Sequence, residues 1–145
     1  MVISRTLVDL IERNAEGLAT HWLELVRNDP GTPTYARHDP QELYESSYRV
    51  YSQLGRWISR ETTKDDIARH YTALGAQRRA QGFTLAELIR ALVITRRVLW
   101  LKVQADGLLD TALDLNLALD LYNRVLLFFD RATYYIACGY EQPGR

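Results

Sequence analysis

Apolar residues recur at three- and four-residue spacing along almost the whole chain, the period of an α-helix. Leu7, Ile11, Ala15, Leu18, Trp22 and Leu25 form one stripe, which predicts a helix over about residues 4–27. Leu43, Ser47, Val50, Leu54 and Ile58 form a second, flanked by Tyr51 and Trp57. It opens on Asp39, Pro40 and Glu42, which suit an N-cap, a first-turn proline and a capping-box partner, and predicts a helix to about residue 60. In the third, Ile67, Tyr71 and Leu74 share an arc. Thr63 precedes it, Asp65 and Asp66 sit where the helix dipole favours acids, and Gly82 is a left-handed stop with Phe83 just past it. Thr84 and Glu87 form a capping box for a fourth helix running to about Gln104. Leu117, Leu121, Val125, Phe128, Ala132 and Tyr135 carry a fifth over about 111–139, ended by Gly139. The alternation in "LDLNLAL" mimics a strand, but a lone strand in a helical chain would lack a partner. Three of the four prolines fall in "NDPGTPTYARHDP", the one clear loop. The pattern predicts an all-α fold, a five-helix bundle, with residues 1–141 as one domain and 142–145 as a tail or linker.

Composition narrows the class. With 145 residues, 47% hydrophobic and 25% charged, this is the make-up of one ordinary globular domain. Eighteen basic and eighteen acidic side chains balance, and there is no basic tract, so no nucleic-acid or anionic-membrane partner is expected. The single cysteine, Cys138, cannot form an internal disulfide and points to a reducing, cytoplasmic setting. A membrane span needs about 20 mostly apolar residues; the most apolar stretch is interrupted by Asp120, Asn123, Arg124, Asp130 and Arg131.

Two arginines disturb the apolar pattern. On a helical wheel Leu85, Leu88, Ile89, Leu92, Val93, Leu99, Trp100 and Val103 share one arc, and Arg96 lies near its middle. Arg78 falls at the centre of the arc of the third helix, with His70 at its edge. The short connection makes the third and fourth helices antiparallel neighbours. A buried cation without a partner costs several kcal/mol. Each arginine therefore requires an acid such as Glu12, Asp114 or Asp120, a snorkelling route to water, or a small ligand anion gripped by guanidinium contacts. His70 is a candidate haem ligand because Tyr71 and Leu74 lie beside it. Otherwise His21, His38 and His70 read as boundary histidines, and no Cys/His cluster has metal-ligand spacing. No glycine-rich phosphate loop, nucleophile elbow or base-paired nucleophile is present, so no enzyme is expected, and no cofactor beyond the haem alternative.

Two helices carry more apolar surface than one core can use. The fifth has an apolar arc of about half its circumference, including Leu119 and Leu126. The fourth has a second strip, Ala91, Ile94, Val98 and Leu101. Such contiguous apolar surface marks an interface, and these six residues are the expected contacts of a homodimer.

The runs "IARHYTALGAQRRAQGFTLAELIRALVITRRVLW" and "LALDLYNRVLLFFDRATYYIACGYE" resemble the N-terminal domain of the RsbRD type, the helical head of RsbT co-antagonist proteins of bacterial stress signalling. The marks are "GFTLAELIRAL" and the "FFDRA" run followed by a tyrosine pair, and the resemblance is best over about residues 67–141. It implies a cytoplasmic sensory or scaffolding domain, dimeric, without enzymatic activity, acting through a regulatory protein partner or a fused effector. Related heads resemble globins without haem. Such domains precede kinase or helix-turn-helix modules; here only "EQPGR" follows, so either an effector lies outside this chain or the domain stands alone.

Overall fold

The computed structural model describes residues 5–59, 64–106 and 111–142. Among these there are eight helices and no strand: α1 (Arg5–Arg13), α2 (Ala15–Asn28), α3 (Pro33–Arg37), α4 (Pro40–Ser52), α5 (Leu54–Trp57), α6 (Lys64–Ala80), α7 (Leu85–Asp106) and α8 (Ala112–Tyr140). The chain is all-α. The five expected segments are all helical, but two are broken and a short helix interrupts the expected loop. None of the described helices is long and apolar enough to cross a membrane.

Each break has a local cause. Asn14 turns its side-chain amide back to the carbonyl of Leu10 at 2.7 Å, an alternative to continuing the backbone ladder. The restart at Ala15 shifts the register, so that Val26 is buried and Leu25 is exposed. Gln53 divides α4 from α5; beyond it Leu54 and Ile58 still reach the core. Pro33 opens α3, which buries Tyr35 against Trp22 and Phe83 at ring distances of 6.1 and 4.7 Å.

The boundary at residues 80–87 forms as its residues predict. Gly82 has φ +92°, the single positive φ among the described residues. Phe83 N–H donates to the carbonyl of Arg78 and Gly82 N–H to that of Arg79, a Schellman stop with buried Phe83 as its apolar lock. Glu87 accepts from Thr84 N–H at 3.0 Å while Thr84 Oγ1 accepts from Glu87 N–H at 3.2 Å. Glu87 also takes the N–H and hydroxyl of Thr34 at 2.7 and 2.8 Å, so one carboxylate caps both α7 and α3. Burial pushes Glu87 up, and the hydrogen bonds from Thr84 and Thr34 outweigh it, leaving the pKa below the usual glutamate value. Thr63, read as preceding the third helix, lies outside the described residues.

Three expectations are corrected. Gly139 does not end the last helix, which continues to Tyr140. It is buried where α6 and α8 cross, and a Cβ there would overlap the carbonyl oxygen of Thr72. Gly75 on α6 is its counterpart: a Cβ would overlap the carbonyl oxygen of Ile136 and lie 2.9 Å from Tyr140 N. Because these glycines let two backbones touch, α6 packs chiefly on α8, and only sparsely on α7 despite the short connection. Last, α7 is rotated from its expected orientation. Ala91, Ile94 and Val98 are 4%, 8% and 2% exposed, so these three of the strip read as an interface join Leu88, Leu99 and Val103 of the expected arc in the core. Val93 is exposed instead. The helix is apolar on two sides, and short side chains decided between them: at Ala91 and Thr95 the α7 backbone comes near enough for its carbonyls to accept from Trp22 Nε1 (3.1 Å) and Tyr51 Oη (2.9 Å).

Candidate functional site: the cleft between α4 and α6

On the side of α6 away from α8, the helix stands off from α4. The two make almost no direct backbone contact, and side chains span the gap. Arg78 is buried and donates from Nη1 to Glu42 Oε1 at 2.6 Å and to Gln81 Oε1 at 2.8 Å. Its guanidinium lies 5.5 Å from the ring centre of Phe83. Glu42 also accepts from Gln81 Nε2 (3.0 Å) and Gln77 Nε2 (3.2 Å), and its other oxygen is 3.0 Å from His38 Nε2. Hydrogen bonds from Gln81, Arg78 and His38 overcome the cost of burial and hold Glu42 down at about 2. A carboxylate so held stays ionised throughout the neutral range.

Behind this bridge is a cavity of about 50 Å³. Trp22, Tyr35, Tyr71, Leu88 and Ala91 are among its walls, with Ser46, His70 and Arg78 also lining it. Ser46, His70, Leu74 and Arg78 also line a wider, open groove of about 390 Å³ between α4 and α6, so the cavity opens into the groove. Two of the lining residues are buried phenols. Tyr71 Oη is buried with no hydrogen-bond partner among the described residues. The hydroxyl of Tyr35, a buried residue, makes no hydrogen bond among the described residues. Burial raises both pKa values well above that of free tyrosine, so both hydroxyls remain protonated donors. His70 stacks beside Trp57 and Tyr71 at 5.2 and 4.8 Å. Burial, then the charge of Arg49, lowers its pKa, which keeps the imidazole neutral at pH 7.

The expected ligand residues are thus divided. Arg78 and His70 border one cavity. Arg96 does not: it is half-buried on another face, beside Val93, Arg97, Trp100, Leu101 and Tyr122 around an open groove of about 360 Å³. It has no hydrogen-bond or ion-pair partner among the described residues, and the Trp100–Tyr122 ring pair, whose centres are 4.8 Å apart, lines the same open groove. The rotation of α7 put it there. The acids expected to pair with the arginines are used elsewhere: Glu12 accepts from Gly55 N–H, Asp114 closes the α8 capping box, and Asp120 pairs with Arg124. The true partner of Arg78, Glu42, reads locally as a capping residue; Asp39 provides that cap alone, to Gln41 N–H. Tyr35 sits in a segment that reads as loop. Neither had a local signal, since each acts on residues far along the chain.

The enclosed cavity beside His70, at about 50 Å³, is far below the roughly 300 Å³ at which sites for drug-sized ligands begin; the wider spaces that His70 also borders, of about 390 and 770 Å³, are open grooves lined by charged chains. Among the described residues no group of three or more His, Cys, Asp or Glu side chains is placed to hold a metal ion.

The family comparison matches residues 16–143 to the RsbT co-antagonist protein rsbRD N-terminal domain. The chain belongs to the RsbRD N-terminal domain family. The match spans α2 to the end of α8 and takes in the whole cleft and the α6–α8 crossing. This family is one of stress-signalling domains, not a known enzyme family. No curated protein and no solved structure matches the chain.

Proposed function

We propose that this RsbRD N-terminal domain is the cytoplasmic head of a bacterial stress regulator, which dimerises and passes a conformational change to a regulatory protein partner or fused effector. Family membership supplies the signalling context. The observation that carries dimerisation is the apolar face left in water by α7 and α8. Val93, Leu101, Leu115 and Leu119 are exposed by 42%, 46%, 52% and 59%, with Trp100, Tyr122 and Leu126 half-covered near them. Of the six residues first expected at the interface, Leu101, Leu119 and Leu126 remain candidates, and Ala91, Ile94 and Val98 do not. Exposed apolar side chains grouped on one face mark a candidate interface, and a two-fold contact of like patches is the commonest way to cover it. Light scattering at about 50 μM is expected to give twice the chain mass. Leu101→Glu combined with Leu119→Glu should return the monomer mass with the helical circular dichroism retained, because within the single chain both side chains face water. A monomeric wild-type chain defeats this reading.

A second reading, a small-ligand module, is favoured by the cavity behind the Arg78–Glu42 bridge. It uses Arg78 and His70 and leaves Arg96 out. In that case occupancy of the cleft is the signal and the α7–α8 face the output.

A further inference from the structure

We propose that the α4–α6 cleft binds a small, uncharged molecule of about four non-hydrogen atoms, with an apolar body and one hydrogen-bond acceptor that Tyr71 and Tyr35 hold by their hydroxyls. The proposal rests on the second reading above and names the chemistry of its ligand.

Three observations carry it. Tyr71 Oη is buried with no protein partner, a condition that costs about 1–3 kcal/mol and that native proteins rarely leave unanswered. Its hydroxyl is held protonated by burial, so an acceptor is what it needs. Tyr35, whose hydroxyl makes no hydrogen bond among the described residues, lines the same space. Of the other polar groups at the cavity wall, Thr95 Oγ1 donates to Ala91 O, Ser47 Oγ to Tyr44 O and Trp22 Nε1 to Ala91 O, while Ser46 and His70 also line the outer groove. Size sets the ligand. A water needs about 10–15 Å³ of such volume and a benzene-sized guest about 150 Å³; the 50 Å³ here lies between, at a few heavy atoms. Charge sets the rest. The cation nearest the cavity, Arg78, is satisfied by Glu42 and Gln81, and His70 is neutral at pH 7, so the interior offers no counter-charge to an anion. Entry runs through the groove lined by Ser46, His70 and Leu74, past the Glu42 bridge.

Acetone and xenon test this together, since both are of the right size and acetone alone accepts a hydrogen bond. Each is titrated into the whole chain while backbone amide ¹H–¹⁵N shifts are recorded. Both are expected to give saturable shifts at Ser47, Tyr71, Ala91 and Thr95 and none at Arg96. The acetone dissociation constant should be of order millimolar, as befits so few atoms. Tyr71→Phe removes only the unpaired oxygen, so the fold should persist. It should weaken acetone about fivefold, the worth of one hydrogen bond, and leave xenon unchanged; Tyr35→Phe should act in the same sense. Acetone binding equally well to wild type and both variants overturns the ligand chemistry while the cavity reading stands. If neither probe gives saturable shifts at these four amides, the small-ligand reading fails as well, and the cavity holds water only.

Discussion

α6 has two faces that solve opposite problems. Toward α8, Gly75 and Gly139 leave no Cβ where the helices cross, and the two backbones meet directly there. Toward α4 the helix keeps its distance, and long polar chains reach across: Arg78, Gln77 and Gln81 all converge on Glu42. The first face has no room for anything else. The second is held by a few replaceable hydrogen bonds around space. One helix thus makes a direct backbone contact on one side and a side-chain bridge around a cavity on the other; on the small-ligand reading proposed above, the bridged side is where occupancy would move α6.

The glycine crossing should give the largest effect. Gly139→Ala is expected to destabilise by at least about 3 kcal/mol, since the new methyl meets backbone that cannot rotate away. Gly75→Ala should behave alike. Gly17, in helix α2 with open space around it, is the control: Gly17→Ala should be neutral or stabilise by up to about 1 kcal/mol. Chemical denaturation measures all three, and a Gly139→Ala protein of wild-type stability would mean the two helices do not touch there.

The bridge comes next. Arg78→Met should cost about 2–4 kcal/mol, because Glu42 loses its cation while still two-thirds covered. Adding Glu42→Gln to Arg78→Met should restore much of that loss, and the double-mutant cycle reads the coupling directly. Additive effects would show that the two residues do not hold each other.

Smaller still is the pH response of the same bridge. The folded pKa of Glu42 is depressed from 4.5 to about 2. Its contribution is therefore complete above about pH 4.5 and is lost as pH falls toward 2. With a third of the side chain in water, about 1–2 kcal/mol is expected. Glu42→Gln should flatten the stability profile between pH 4.5 and 2; an unchanged acid limb would assign that limb to other carboxylates, Glu87 first among them.

Arg96→Met should have the smallest effect, within about 0.5 kcal/mol. Arg96 and Arg78 look alike on a helical wheel, and this pair of substitutions separates them. A loss at Arg96 matching that at Arg78 would place it in a buried ion pair after all.

Much was legible from the chain alone because it depends on neighbours within a few residues. Helical period, the Gly82–Phe83 stop and the Thr84–Glu87 box each involve contacts within one or two turns, and each formed as its residues dictate. The all-α class and the family followed from the same local patterns. What the tertiary structure decided is which side of each element faces in. α7 is apolar on two sides, so periodicity could not choose between Leu92–Val93 and Ala91–Ile94–Val98; the approach of Trp22 and Tyr51 to its carbonyls did. The partner of Arg78 lies 36 residues back along the chain, and Gly139 looked like a helix stop until α6 was laid against it. A wheel records angles about one axis, whereas burial depends on which other axis comes close, and that distance is set by side-chain volumes contributed from elsewhere in the chain.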